Sequence, residues 1–381
     1  MKIYIYLISI ITVLLLFSCS QMEDLDSRQE SKDNLNFKLP ESDAIKLVDA
    51  FNPKSRAVHS PSIKKAYYLK TSSKAQTRNS SSEDIIVYQV DLNNEEKGFA
   101  LVSGDTRMPC IIAYSEKGEI NDTLTNKGAA MMIKNAESVF IESIENTKEA
   151  VLNPEGTLLQ MVVPLVNVAW GQESPYNDLM PASSTFTDYY YNSKFPVGCV
   201  PAAIAQILSY FKPTINTNGT TINWSILTAQ PYITPYSSSS LKNQVAILMN
   251  YTSDGTKTIY IEGLGGSTNI STAILFLKQN GLSINNAQAM NVSEVTTSLK
   301  MLQPVLVTGS TGSNSSHCWI VDGFQILKNT NNSMNTYVHA NFGWSGTENG
   351  YYLANSNNFG FDTQYSGNYN TNLKIYSRIR K

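Results

Sequence analysis

The chain has 381 residues, 42% of them apolar and only 16% charged, with a net charge of −2. That is enough apolar mass for two buried cores, too little charge for a coiled coil or fibre, and no one-sign run that would make nucleic acid a partner. Three histidines and four cysteines, none in C-x-x-C, H-E-x-x-H or closely paired His spacing, exclude a structural zinc site, and phosphate-binding G-x-x-x-x-G-K and hydrolase G-x-S-x-G loops are absent.

Lys2 precedes an apolar run from Ile3 to Phe17, shorter than the ~20 residues that cross a bilayer, so residues 1–18 read as a signal peptide. Leu16-Phe17-Ser18-Cys19 resembles the lipobox of bacterial lipoproteins. That likeness implies lipidation of Cys19, export, and a membrane-anchored protein at the outer membrane or cell surface, releasable by later processing. The alternative is an ordinary secretory signal with an incidental cysteine. Residues 19–36, polar and without apolar periodicity, read as a disordered tether. Beyond Cys19 the odd set Cys110, Cys199 and Cys318 leaves at least one thiol unpaired in an oxidising compartment.

A first domain follows over residues 37–156. Ala44, Ile45, Leu47, Val48 and Phe51 follow helical spacing, with Ser42 as N-cap. Strands over Asp84–Leu92, Gly98–Ser103 and Cys110–Tyr114, parted by Asn93-Asn94 and Gly104-Asp105, predict an antiparallel meander. Met132, Ala136, Val139, Phe140 and Ile144 place a helix within Lys127–Val151, and Asn153-Pro154-Glu155-Gly156 closes the domain.

The second domain, residues 157–381, opens with an extended segment. Val200, Ile204, Ile207, Leu208 and Phe211 stripe a helix over Cys199–Phe211; Gly198 precedes it, Pro201 fits its first turn and Lys212-Pro213 stops it. Helices over Ser239–Tyr251 and Thr268–Asn280 come before strands over Val305–Thr308, His317–Leu327, Thr336–Phe342 and Gly350–Ala354. Helices first and antiparallel strands later predict an α+β domain.

Cys199 opens the most regular helix, where unsatisfied N–H groups and the helix dipole favour a thiolate. The same position also suits a small buried hydrophobe. A base is needed for nucleophilic chemistry, and His317 follows a small-residue loop that leaves room for an open cleft. On its strand His317, Trp319 and Val321 share one face and Cys318, Ile320 and Asp322 the other, so Asp322 is a poor partner for His317. Asn341 on the next strand is the better orienting group, provided the hairpin register turns both side chains the same way. His339 is the rival base, about 7 Å along that strand from Asn341, and His59 reads as a surface residue of the other domain. Gln172 is a polar loop residue whose amide suits an oxyanion.

These residues lie in Trp170-Gly171-Gln172 with Pro175-Tyr176-Asn177, Gly198-Cys199-Val200-Pro201-Ala202-Ala203, Ser316-His317-Cys318-Trp319-Ile320-Val321-Asp322-Gly323, and Asn341-Phe342-Gly343-Trp344-Ser345-Gly346. Together they resemble the streptopain family of papain-like cysteine proteases, and Gly98 to Asp105 is similar to that family's propeptide. The resemblance implies Cys199 as nucleophile, His317 as general base, Asn341 as orienting residue and Gln172 as oxyanion donor. Trp344, Phe342 and Gly198 would line the substrate site. It further implies a zymogen inhibited by its own propeptide until cleavage near Asn153 to Gln160, protein or peptide substrates, and no metal or organic cofactor. Phe342 stands where the family commonly has Trp, and Cys318, Trp319 and Pro201 replace smaller or aliphatic residues. Two other uses stay open: an acyl transferase or amidase acting on cell-wall peptides, and a surface lipoprotein that binds a partner through an inert protease-like domain.

Overall fold

Helix α1 (Glu41–Phe51) opens the first domain, followed by strands β1 (Ser62–Leu69), β2 (Ile85–Asp91), β3 (Lys97–Ser103) and β4 (Ile111–Lys117), helix α2 (Lys127–Glu145) and strand β5 (Thr157–Val162). Next come α3 (Cys199–Phe211), the two-residue strands β6 (Asn216–Thr217) and β7 (Thr220–Thr221), α4 (Trp224–Leu227), α5 (Ser239–Gly255), the hairpin β8 (Ile259–Ile261) and β9 (Gly265–Ser267), and α6 (Ile270–Gln279). The chain ends with β10 (Gln288–Ala289), α7 (Val292–Lys300), β11 (Val305–Thr311), β12 (Ser315–Lys328), β13 (Met334–Asn341), β14 (Gly350–Leu353) and β15 (Lys374–Tyr376). This computed structural model describes residues 37–51, 60–69, 85–120, 126–145, 157–311, 315–329, 332–354 and 373–381. The expected signal peptide, Cys19 and its tether, His59 and the Asn153–Gly156 punctuation lie outside the described residues.

The meander appears in the predicted order, with one strand more: β1, whose Lys64 and Lys65 hide its pattern, pairs with β2. One antiparallel sheet runs β1-β2-β3-β4-β14-β13-β12-β11-β15-β10, with β5 on the far half of β12. The strands of both domains therefore share one ladder through Gly350↔Ser115 and its neighbours. Strand β12 divides the interior by its pleat. Trp319 and Val321 join α2 and the meander in one core, while Cys318 and Ile320 join α3, α5 and α6 in the other.

Helix α3 is buried on nearly every side from Val200 to Ser209, because it lies between β12 and the helices α5 and α6. Gly198 enters it at φ 98°, a conformation costly for residues with a Cβ, and Lys212 ends it at φ 51° with its N–H on the Leu208 carbonyl. Helix α2 buries Ala129, Met132, Ala136 and Phe140 against the sheet, and the Asn126 amide oxygen caps its first turn from Ala129 N–H at 3.1 Å. Ser42 is not a cap: α1 begins one residue earlier, and its first N–H groups bond the Pro40 carbonyl. Among the described residues no helix is long and apolar enough to cross a membrane.

Candidate active site

Cys199 sits half-buried on the first turn of α3. The backbone of Cys199 itself, of Val200 and of Cys318 favours the thiolate, the first two from the unsatisfied helix end and the third from β12. Burial nevertheless pushes the thiol pKa up, outweighing these backbone groups and the positive charge of Lys127. Cys110 and Cys318 are buried and, like Cys199, free.

His317 lies next to Cys318 on β12, on the opposite face. Its Nε2–H donates to the Phe342 carbonyl at 3.1 Å, and its ring stacks on Trp319 (centroids 6.0 Å) and meets Trp344 edge-on (5.9 Å). Burial pushes its pKa down to about 4; the Lys127 charge adds to that, and the Phe342 carbonyl opposes it. The imidazole is thus held neutral and the thiol protonated, the reverse of the ion pair that thiol catalysis requires.

The start of α2 imposes this arrangement. A Cβ on Gly128 would stand 2.6 Å from both His317 Cδ2 and Phe342 Cδ1, and one on Gly309, the partner of His317 on β11, would meet Met131 Sδ at 2.4 Å, so the helix lies directly on the histidine and the strand beside it. Asn126, besides capping α2, donates to Glu348 Oε2 at 2.8 Å, and the Glu348 N–H donates to the Lys117 carbonyl at 2.7 Å. Burial raises the Glu348 carboxyl to about 7, against the pull of that Asn126 bond.

The hairpin register settles what the sequence leaves open. Asn341 pairs with Ile320 and so shares the face of Cys318, away from His317. Its Nδ2–H donates to the Val168 carbonyl at 2.8 Å and its Oδ1 accepts from Gly343 N–H at 3.3 Å. Beyond Asn341 a bulge at Asp322 sets Gly323 against His339, and Asp322, fully buried, takes the His339 ring at 2.7 Å. His339 is therefore occupied in a separate pair, and the structure brings neither His339 nor Asn341 to His317.

Gln172 donates from Nε2 to the Gly343 carbonyl at 3.2 Å, and its backbone N–H donates to Glu173 at 2.9 Å. The Glu173 carboxylate also accepts from Ser345 Oγ, which ties the Gln172 loop to the Gly343–Gly346 turn that carries Trp344. Phe342 N–H is held by Asn349 Oδ1 at 2.9 Å, so Phe342 is fixed between His317 and Trp319. Sequence reasoning missed Asn126, Lys127, Gly128, Glu173, Ser345 and Asn349. Only Asn126, a capping residue type ahead of a predicted helix, carries a local signal. Among the described residues there is no group of three or more His, Cys, Asp or Glu side chains fit to hold a metal ion.

Residues 170–352 match the Peptidase C10 family, and residues 37–140 match the Spi protease inhibitor family. Streptopain of Streptococcus pyogenes is 23% identical over 324 residues, 71% of this chain and 78% of that protein. The thiol protease/hemagglutinin PrtT of Porphyromonas gingivalis is 22% identical over 306 residues, 68% of this chain and 33% of that much longer protein. A prointerpain A fragment of Prevotella intermedia has the same fold, with a TM-score of 0.53 and 18% identity over 83% of this chain and 99% of that one. Over residues 170–352 the sequence is that of the Peptidase C10, or streptopain, family, a cysteine endopeptidase whose papain-like α+β domain is preceded by a propeptide domain matching the Spi protease inhibitor family.

Proposed function

We propose that the chain is an exported, lipid-anchored zymogen whose mature domain, starting near residue 157, cleaves peptide bonds through Cys199, His317, Asn341 and Gln172. The reading is carried by one observation: the helix that Cys199 opens packs directly on β12, the strand that carries His317, and the backbone of Cys318 on that strand favours the thiolate of Cys199. In this reading the end of β12 turns to bring the imidazole to the thiol, a turn that the close packing of Gly128 on His317 and Phe342 holds back. Once α2 departs, His317 leaves the Phe342 carbonyl and takes the thiol proton. The thiolate attacks the peptide carbonyl carbon, and the Cys199 N–H and the Gln172 amide bind the resulting oxyanion. The imidazolium then protonates the leaving amine, and water hydrolyses the thioester to regenerate the thiol. Asn341, one loop away, orients the imidazole in this active state. The Leu16-Phe17-Ser18-Cys19 pattern supports anchoring through Cys19, and the polar residues after it support a tether long enough to free the enzyme from the bilayer.

The test is to express residues 20–381 with Cys199 intact and as Cys199→Ala, following mass and release of peptides from denatured casein. Trimming and casein cleavage by the intact form alone, both stopped by a thiol alkylator, are the expected outcome. Equal trimming of both forms would remove Cys199 from the role, and trimming without casein cleavage would redirect the site to a different amide.

A further inference from the structure

Tyr232 lies in a loop that is fixed from below. The Pro231 carbonyl accepts from Ala169 N–H at 2.9 Å, and Ile233 N–H donates to the hydroxyl of the fully buried Tyr176 at 3.0 Å. This sets the Tyr232 ring on Gly346, where a Cβ would stand 2.7 Å from Cε1, so the ring and the Trp344–Gly346 turn form one surface. Trp344 of that turn meets His317 edge-on. Because the imidazole delivers its proton to the leaving amine, the residues after the scissile bond depart on this His317–Trp344 side. Tyr232 therefore borders the path of the leaving peptide.

In the latent chain that ring is taken. The ammonium of Lys117, at the end of β4 in the propeptide domain, stands 4.6 Å from the centre of the Tyr232 ring, and the backbone of Lys117 is held there by Glu348 N–H. An ammonium over an aromatic face is an arrangement with its own attraction. Of the basic residue's partners, the ring belongs to the protease domain and stays when the propeptide leaves, whereas Glu96, 3.4 Å from the ammonium, departs with it.

We propose that Tyr232 forms a leaving-side subsite that takes the lysine or arginine side chain of a substrate, and that Lys117 occupies this subsite in the zymogen. The inference rests on the catalytic arrangement above, which places the leaving amine beside His317. A substrate with no side chain after the scissile bond tests that arrangement separately.

The experiment uses the matured enzyme and internally quenched peptides that carry lysine, arginine, norleucine, glutamate or Nε-acetyl-lysine at each of the first three positions after the cleaved bond. A fluorogenic amide with no such residues runs alongside. The expected result is a kcat/KM for lysine or arginine about three- to tenfold above norleucine at one of these positions. The preference should vanish with acetyl-lysine, persist in Tyr232→Phe and collapse in Tyr232→Leu. Equal rates for lysine, norleucine and acetyl-lysine at all three positions would overturn the subsite, as would a lysine preference undiminished in Tyr232→Leu. If Tyr232→Leu does not mature, the acetyl-lysine comparison decides alone. Failure to cleave the fluorogenic amide would count against the catalytic arrangement instead.

Discussion

Gln172 stands between two restraints, the Gly343 carbonyl on its amide and the Glu173 carboxylate on its backbone. In the mechanism proposed above its second amide hydrogen would serve the oxyanion, a contact made in the transition state and not in the ground state. Gln172→Ala should therefore lower kcat by about two to three orders of magnitude with little change in KM, read from steady-state kinetics on a peptide amide. Retention of full turnover would remove the residue from that role. Glu348 makes a different kind of statement. Its carboxyl, ordinarily near 4.5, is raised to about 7 where the propeptide domain covers it, with the neutral Asn126 amide as its side-chain partner. A raised value means that the latent contact is strongest below pH 4.5 and is weakened progressively as the pH climbs through 7. The loss amounts to on the order of 3 kcal/mol. In a Cys199→Ala background that stays uncut, Glu348→Gln should be no more stable than Glu348 at low pH and increasingly more stable towards neutrality, by thermal unfolding across that range. Parallel curves for the two forms would contradict this.

At the scale of elements, α2 works as a wedge, and the closest approach of its backbone to the site is at Gly128. Gly128→Val puts branched carbon into the space held by His317 and Phe342, so the helix start must lift off. The proprotein should then mature several-fold faster than the parent, followed by the appearance of the mature mass; unchanged kinetics would mean that the wedge does not hold the histidine. Burial supports the rest of the helix. Phe140→Ala should cost the propeptide domain about 3–5 kcal/mol, measurable by denaturant unfolding of the Cys199→Ala proprotein. The elements differ in how openly their sequences announce them. Helix α3 is legible to the residue, since its stripe, entry glycine and Lys212-Pro213 stop all agree. Helix α7 carries Asn291 as cap and Val292, Val295 and Leu299 at helical spacing, yet its short polar run looks like loop until packing selects it. The four proposed catalytic residues are legible as residue types in motifs. Their latent arrangement is not, because the bulge at Asp322 sets the register that turns Asn341 from His317, and the wedge comes from a segment about 190 residues before the histidine in the chain.

In the whole molecule, latency and catalysis are two uses of one sheet. Because β4 of the propeptide domain pairs with β14 of the protease domain, α2 is docked by a backbone ladder as well as by side chains, and its removal needs both to part. In the intact chain burial raises the thiol and depresses the imidazole; in the mechanism proposed above, release of α2 is what would let His317 reach the thiol and the ion pair form. The most direct measurement is the rate of iodoacetamide alkylation of Cys199 against pH, read by peptide mass, in the intact proprotein and in the matured enzyme. The account expects slow alkylation of the proprotein, rising only in the alkaline range, and fast alkylation of the mature form down to acid pH, as befits a thiolate paired with imidazolium. Superimposable profiles for the two forms would contradict it.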